Sequence, residues 1–183
     1  MSSQQKPQII HTELVAKSRL FRVEQVHLKF SNGVERVYER MQGGSRGAVM
    51  VVPMLDEHTV LLVKEYAVGT ETYELGFVKG LIDPGEDELQ AANRELQEEA
   101  GFQAERLTPL MEVALAPGYF SSKMIILLAQ GLTPSKLEGD EPEPLELVPW
   151  PIADLDGLLA RADFSESRAI SALFLARKAL KLS

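Results

Sequence analysis

Between His11 and Met41 the apolar residues follow an approximate two-residue period. Phe21, Val23, Val26, Leu28 and Phe30 mark one strand, in which a single slip predicts a bulge. Ser31-Asn32-Gly33 then predicts a tight turn into a second strand over 34–41. Residues 1–8 are polar and read as a frayed tail. Two runs, 48–55 and 59–68, are apolar and β-branched without alternation, as expected of strands covered on both faces. Asp56-Glu57-His58 between them predicts a hairpin. Further strands are predicted over 72–78, 107–116, 124–132 and 145–150. The helical rhythm appears three times. Asp87 followed by Gln90 reads as a capped N-terminus, and Gly101 is suited to stopping that helix. Pro151 suits the first turn of a helix bearing Leu155, Leu158 and Leu159. Ile170, Leu173, Phe174 and Leu180 make the apolar stripe of a last one.

The first of these helices carries the chemistry. Leu89, Ala92, Leu96 and Ala100 form a stripe that should bury one side, while Glu95, Glu98 and Glu99 stand at i, i+3 and i+4 on a neighbouring face. Like charges so spaced cost a few tenths of a kcal/mol per pair on a bare helix, so a partner is expected wherever the face is not fully solvated. Oxygen ligands alone point to a hard cation, Mg²⁺ or Mn²⁺. The ordinary alternative is a solvated acidic face.

Composition narrows the classes. The chain has 183 residues, 45% of them hydrophobic, enough for one sizeable core plus a small extension. It has no cysteine, which excludes disulfides, thiolate metal sites and a cysteine nucleophile. His11, His27 and His58 are scattered and fit no metal spacing. The formal net charge of −8 argues against a general nucleic-acid binder. No apolar run reaches transmembrane length and the start lacks the core of a signal peptide, so a cytoplasmic protein without a membrane partner is expected.

Gly80, Glu86, Arg94-Glu95-Leu96, Glu98-Glu99 and Gly101-Phe102, with their intervals, resemble the Nudix signature at every fixed position. The resemblance implies an α/β fold, a mixed β-sheet sandwiched between helices with a metal-binding loop–helix–loop. It implies a pyrophosphohydrolase that cleaves a nucleoside diphosphate linked to another group. Glu95 and Glu99 then become metal ligands, with Glu98 a ligand or a contributor to water activation. The backbone carbonyl of Lys79 becomes a further ligand, and Arg94 pairs with Glu86 to hold the loop on the helix. The loop at 138–146 is rich in Asp and Glu and stiffened by Pro142 and Pro144. By the resemblance it supplies Glu141 as general base and Glu143 as a supporting ligand.

The arrangement is similar to the ADP-ribose pyrophosphatase branch, in which residues 1–44 form an antiparallel β extension that builds a homodimer and residues 45–183 the Nudix domain. The Pro117–Ser122 turn carries exposed aromatics and hydroxyls. Pro117 and Tyr119 satisfy patterns of ADP-ribose pyrophosphatases and dinucleoside polyphosphate hydrolases respectively. Substrate contacts are therefore expected from Arg40, Pro117, Tyr119 and Ser121. ADP-ribose, NADH and diadenosine polyphosphates are the implied substrates, with AMP released. Glu65-Tyr66-Ala67 stands where many of the branch carry Gln-Tyr-Arg. Alternatives are a triphosphate-sanitising or decapping hydrolase, or a non-catalytic nucleotide sensor.

Overall fold

The computed structural model describes residues 4–43 and 46–182. They fall into two compact units, one within Met1–Ser45 plus Ala114–Lys123 and one within Arg46–Val113 plus Met124–Ser183. The boundary expected between 44 and 45 lies outside the described residues.

In the first unit, strands β1 (Gln8–Lys17), β2 (Arg22–Lys29) and β3 (Glu35–Met41) form an antiparallel sheet in that order. The predicted turn is present, with Gly33 at φ 84° donating its N–H to the Phe30 carbonyl at 2.9 Å. The bulge is displaced from its expected place. β2 pairs with β3 without a break, and the two register shifts lie on β1, between Ile9 and His11 and between Leu14 and Ala16. The 114–123 segment is tied in where Met41 N–H meets the Tyr119 carbonyl at 2.8 Å and Gly43 N–H meets Ser121 Oγ at 2.8 Å.

The second unit has a four-stranded sheet in the order β7 (Val78–Leu81), β4 (Ala48–Pro53), β9 (Lys123–Pro134), β8 (Phe102–Ala114). A three-stranded sheet accompanies it, ordered β10 (Glu146–Pro151), β5 (Thr59–Ala67), β6 (Thr72–Gly76). β4 is parallel to β9 and antiparallel to β7, so the larger sheet is mixed.

The continuous apolar runs resolve into two alternating sets. Met50, Val52, Val60, Leu62, Ile126 and Leu128 face a core shared with helix α3 (Ser167–Ala179). Val49, Val51, Leu61, Val63 and Leu127 face a core shared with helix α1 (Glu88–Glu95) and the turn that continues it. Helices therefore cover both faces, as a strand buried on both sides requires.

Four local expectations are corrected. β4 and β5 do not continue as a hairpin: beyond the bridge between Met54 and Val60 they part into different sheets, since each finds longer pairing with strands distant in sequence. The strand expected over 72–78 is broken at Phe77, leaving β6 and β7 in separate sheets. Pro151 ends β10 instead of starting a helix, and Asp154 caps α2 (Leu155–Leu159). Leu89 and Phe174, expected in apolar stripes, are exposed; the small residues Ala91, Ala92, Ala169 and Ala172 take the buried positions and let the helices approach the sheets closely. Among the described residues no helix is long and apolar enough to cross a membrane.

Candidate active site

Local chemistry builds the start of α1. Asp87 Oδ1 accepts the N–H of Leu89 at 2.9 Å and of Gln90 at 2.8 Å, while Gln90 Oε1 accepts the Asp87 N–H at 2.9 Å. This reciprocal pairing satisfies donors that the first turn leaves free. From Leu96 to Ala100 the helix widens into a π turn, and Gly101 ends it at φ 74°. Such widening is common where a helix serves a site. Glu95 and Glu99 are buried here and Glu98 is half-buried, so the three carboxylates are not equivalent.

Arg94 organises the loop. Its Nε and Nη2 grip the two Glu86 oxygens at 2.8 and 3.0 Å, and Nη2 also donates to the Leu81 carbonyl at 2.9 Å. Its Nη1 donates to Glu95 Oε1 at 2.7 Å and to Glu98 Oε2 at 3.0 Å. One guanidinium thus pins the loop after β7 to the helix and offsets the repulsion between two carboxylates. The same contact holds the Glu86 carboxyl below the usual range.

Glu99 is in the opposite condition. Burial pushes its carboxyl up to about 8, against the pull of the nearby Lys79 ammonium. The Lys79 N–H lies 3.4 Å from each of its oxygens, too far for a strong bond. Burial also raises Glu95; Arg94 opposes the rise, and the charges of Glu98 and Glu141 add to it.

These groups line a cavity of about 710 Å³, to which Arg94, Glu95, Glu98 and Glu99 come from the helix, Lys79 from β7 and Glu141 from the acidic loop. Glu143 stands apart, its Oε1 accepting the Tyr73 hydroxyl at 2.5 Å. Arg40, Pro117, Tyr119 and Ser121 line a different cavity, about 350 Å³, within the first unit. Arg40 there donates from Nε to Glu24 at 2.9 Å, and Tyr119 is 60% exposed rather than packed in a core. Sequence reasoning missed the side chains of Glu65 and Lys79, which are ion-paired on the wall of the larger cavity. The available signal was a charge at the end of each of two apolar strands.

The donor set fits a hard divalent cation: oxygen only, with two carboxylates kept from solvent, of which Glu99 enters no ion pair among the described residues and meets only the Lys79 N–H, at 3.4 Å. Among the described residues no three side chains surround one point at ligand spacing, and Arg94 is ion-paired with both Glu95 and Glu98. Room beside Glu95 is kept by Gly80, where an added Cβ lands 1.9 Å from Glu95 Oε1. Gly80→Ala is therefore expected to displace that flexible carboxylate while leaving the backbone in place. Mn²⁺ titration should show affinity reduced roughly 10- to 100-fold, with the thermal midpoint little changed.

A glycine loop pinned by arginine to a capped, carboxylate-bearing helix, beside a mixed sheet between helical layers, is the arrangement of the Nudix hydrolases. The chain belongs to this family, whose members use divalent metal: residues 44–173 match the NUDIX domain and residues 7–40 the NudE-type Nudix hydrolase N-terminal domain. It is 62% identical over 179 residues to the ADP compounds hydrolase NudE of Escherichia coli (strain K12), covering 98% of this chain and 96% of that protein. The ADP-ribose pyrophosphatase of Bacillus subtilis (strain 168) is 28% identical over 129 residues, 69% of this chain and 70% of that one. A crystal structure of an ADP compounds hydrolase superposes with a TM-score of 0.93 at 61% identity, covering 99% of this chain and 97% of that one.

Proposed function

We propose that this enzyme hydrolyses the pyrophosphate bond of ADP-containing compounds, among them ADP-ribose, NADH and short diadenosine polyphosphates, releasing AMP in the cytoplasm. The observation that carries the reading is the convergence of Glu95, Glu98, Glu99 and Glu141 on one cavity, in a chain so similar to an ADP compounds hydrolase. Mg²⁺, or Mn²⁺ in its place, would be held by Glu95, Glu99, Glu98 and the Lys79 carbonyl. When bound, the cation supplies neutralisation of the phosphate oxygens and a more acidic water. Glu141 accepts the proton of the attacking water from its position on the loop. Arg94 keeps the carboxylates and the loop in register and touches no reacting atom. Glu143, engaged by Tyr73, is left out of the ligand set.

Arg40, Pro117, Tyr119 and Ser121 are assigned to substrate binding through their shared cavity. The partner is a second copy of the chain through the N-terminal strands. β1 is exposed along all 10 residues, and Ile9, Ile10, Leu14 and Val15 present apolar surface. With a net charge of −8, no nucleic-acid partner is proposed.

Turnover of ADP-ribose, NADH, diadenosine triphosphate and a nucleoside triphosphate should be compared under Mg²⁺ with products identified. AMP is expected from the first three, with slow turnover of the triphosphate. Preference for the triphosphate with release of inorganic pyrophosphate overturns the assignment.

A further inference from the structure

Beside the carboxylate cavity lies a smaller one of about 230 Å³, and Glu65 and Lys79 line both. Their ion pair is therefore a wall common to the two spaces. The smaller cavity has apolar sides from Met50, Leu75 and Phe77, and two further carboxylates reach it, Glu74 and Glu166. Lys79 neutralises Glu65, and Arg168 Nε neutralises Glu166 at 2.8 Å. Glu74 differs. Its Oε2 accepts the Ser165 hydroxyl at 3.2 Å, and among the described residues it enters no ion pair.

An ionised carboxylate only accepts hydrogen bonds, so a ligand beside Glu74 must bring donors. A phosphate brings none and is repelled; a ring bearing hydroxyls brings several. The volume lies under the ~300 Å³ at which sites for drug-sized ligands begin, which suits one sugar ring better than a whole nucleoside. Apolar sides suit the carbon face of such a ring. We infer that this cavity seats the sugar carried by the distal phosphate of the substrate, with Glu74 accepting hydrogen bonds from its hydroxyls. The inference rests on the pyrophosphohydrolase reading, because the sugar reaches the cavity only if the pyrophosphate lies across the shared wall. It makes Glu74 a determinant of which half-molecule is accepted, and it favours ADP linked to a single sugar over ADP linked to a second adenosine.

The test compares ADP-ribose with the methyl ester of ADP, in which a methyl replaces the distal sugar. Glu74→Gln keeps the shape of the side chain and removes its charge. Gly76→Ala and Gly76→Val add bulk to the cavity wall from β6, where an added Cβ meets nothing within 4 Å. The ratio of kcat/KM for ADP-ribose to that for the methyl ester is expected to fall about tenfold or more, in Glu74→Gln through the loss of a charge-assisted hydrogen bond and in Gly76→Val through the space taken from the sugar. Gly76→Ala should fall between Gly76→Val and the parent. Ratios unchanged in variants that melt like the parent overturn the sugar site while leaving the hydrolase reading intact. A parent enzyme that cleaves neither compound with Mg²⁺ or Mn²⁺ overturns both.

Discussion

Replacing Glu99 by glutamine is expected to lower turnover on the order of 10³-fold, the several kcal/mol that a correctly held divalent ion contributes. The same substitution should make the metal-free protein more stable. Burial raises the Glu99 carboxyl from the ordinary 4.5 to about 8. The unfolded chain thus releases this proton first as pH rises, and native stability declines from about pH 4.5 through about pH 8. A neutral amide removes that decline. At pH 7 the metal-free variant should exceed the parent by on the order of 2 kcal/mol. The difference should vanish near pH 4. Calorimetric melts at several pH values, run beside a turnover assay, check both halves. A variant that melts lower at every pH means that Glu99 is held by contacts other than those of a metal ligand awaiting its ion. Unaltered turnover at saturating Mg²⁺ removes Glu99 from the ligand set.

Stripping divalent cations with a chelator should take hydrolysis to background, and Mg²⁺ or Mn²⁺ should restore it. Stability should respond in a way that depends on pH. Binding requires Glu99 without its proton, so affinity for the cation should rise as pH approaches about 8. A cation present at a hundred times its dissociation constant adds about 2.7 kcal/mol, or roughly 5–10 °C in the midpoint for a chain of this size. The midpoint gain on adding Mg²⁺ should therefore be larger at pH 8 than at pH 6. A gain that is equal at both, or absent, means that the buried carboxylates are not the ligands.

The features legible from sequence are those made by neighbours in the chain. The Asp87–Gln90 box and the Gly101 stop involve groups a few positions apart, whose geometry follows once a helix forms. The fork of Arg94 on Glu86 is of the same kind, spanning one loop. The carboxylate string at 95, 98 and 99 was visible as a motif for the same reason. Its detailed arrangement was not. The turn over Leu96–Ala100 widens to a π turn whose Leu96 and Ala100 side chains join the core formed with Val49, Val51, Leu127 and Ala129, and periodicity does not express that widening.

Misreadings occurred where partners distant in sequence competed with near ones. The apolar runs at 48–55 and 59–68 looked like arms of one hairpin, yet Ala48–Pro53 pairs along its whole length with Met124–Ala129. Six residues of parallel pairing and burial on both faces outweigh one short turn. Glu143 and Glu141 sit two places apart in the same loop, and only their distant neighbours separate them, Tyr73 for one and the helix carboxylates for the other.

Taken alone, the amino-acid order determined the family, the capped helix and the identity of its carboxylates, because each is written in short-range spacing. Tertiary structure decided which carboxylates lose their water, that Glu138, Asp140 and Glu141 of the acidic loop line the same cavity as the helix carboxylates, and that Glu65 and Lys79 line two cavities. Burial and long-range pairing set these, and both depend on which surfaces meet when the sheets close, a property of the folded whole that no local interval encodes.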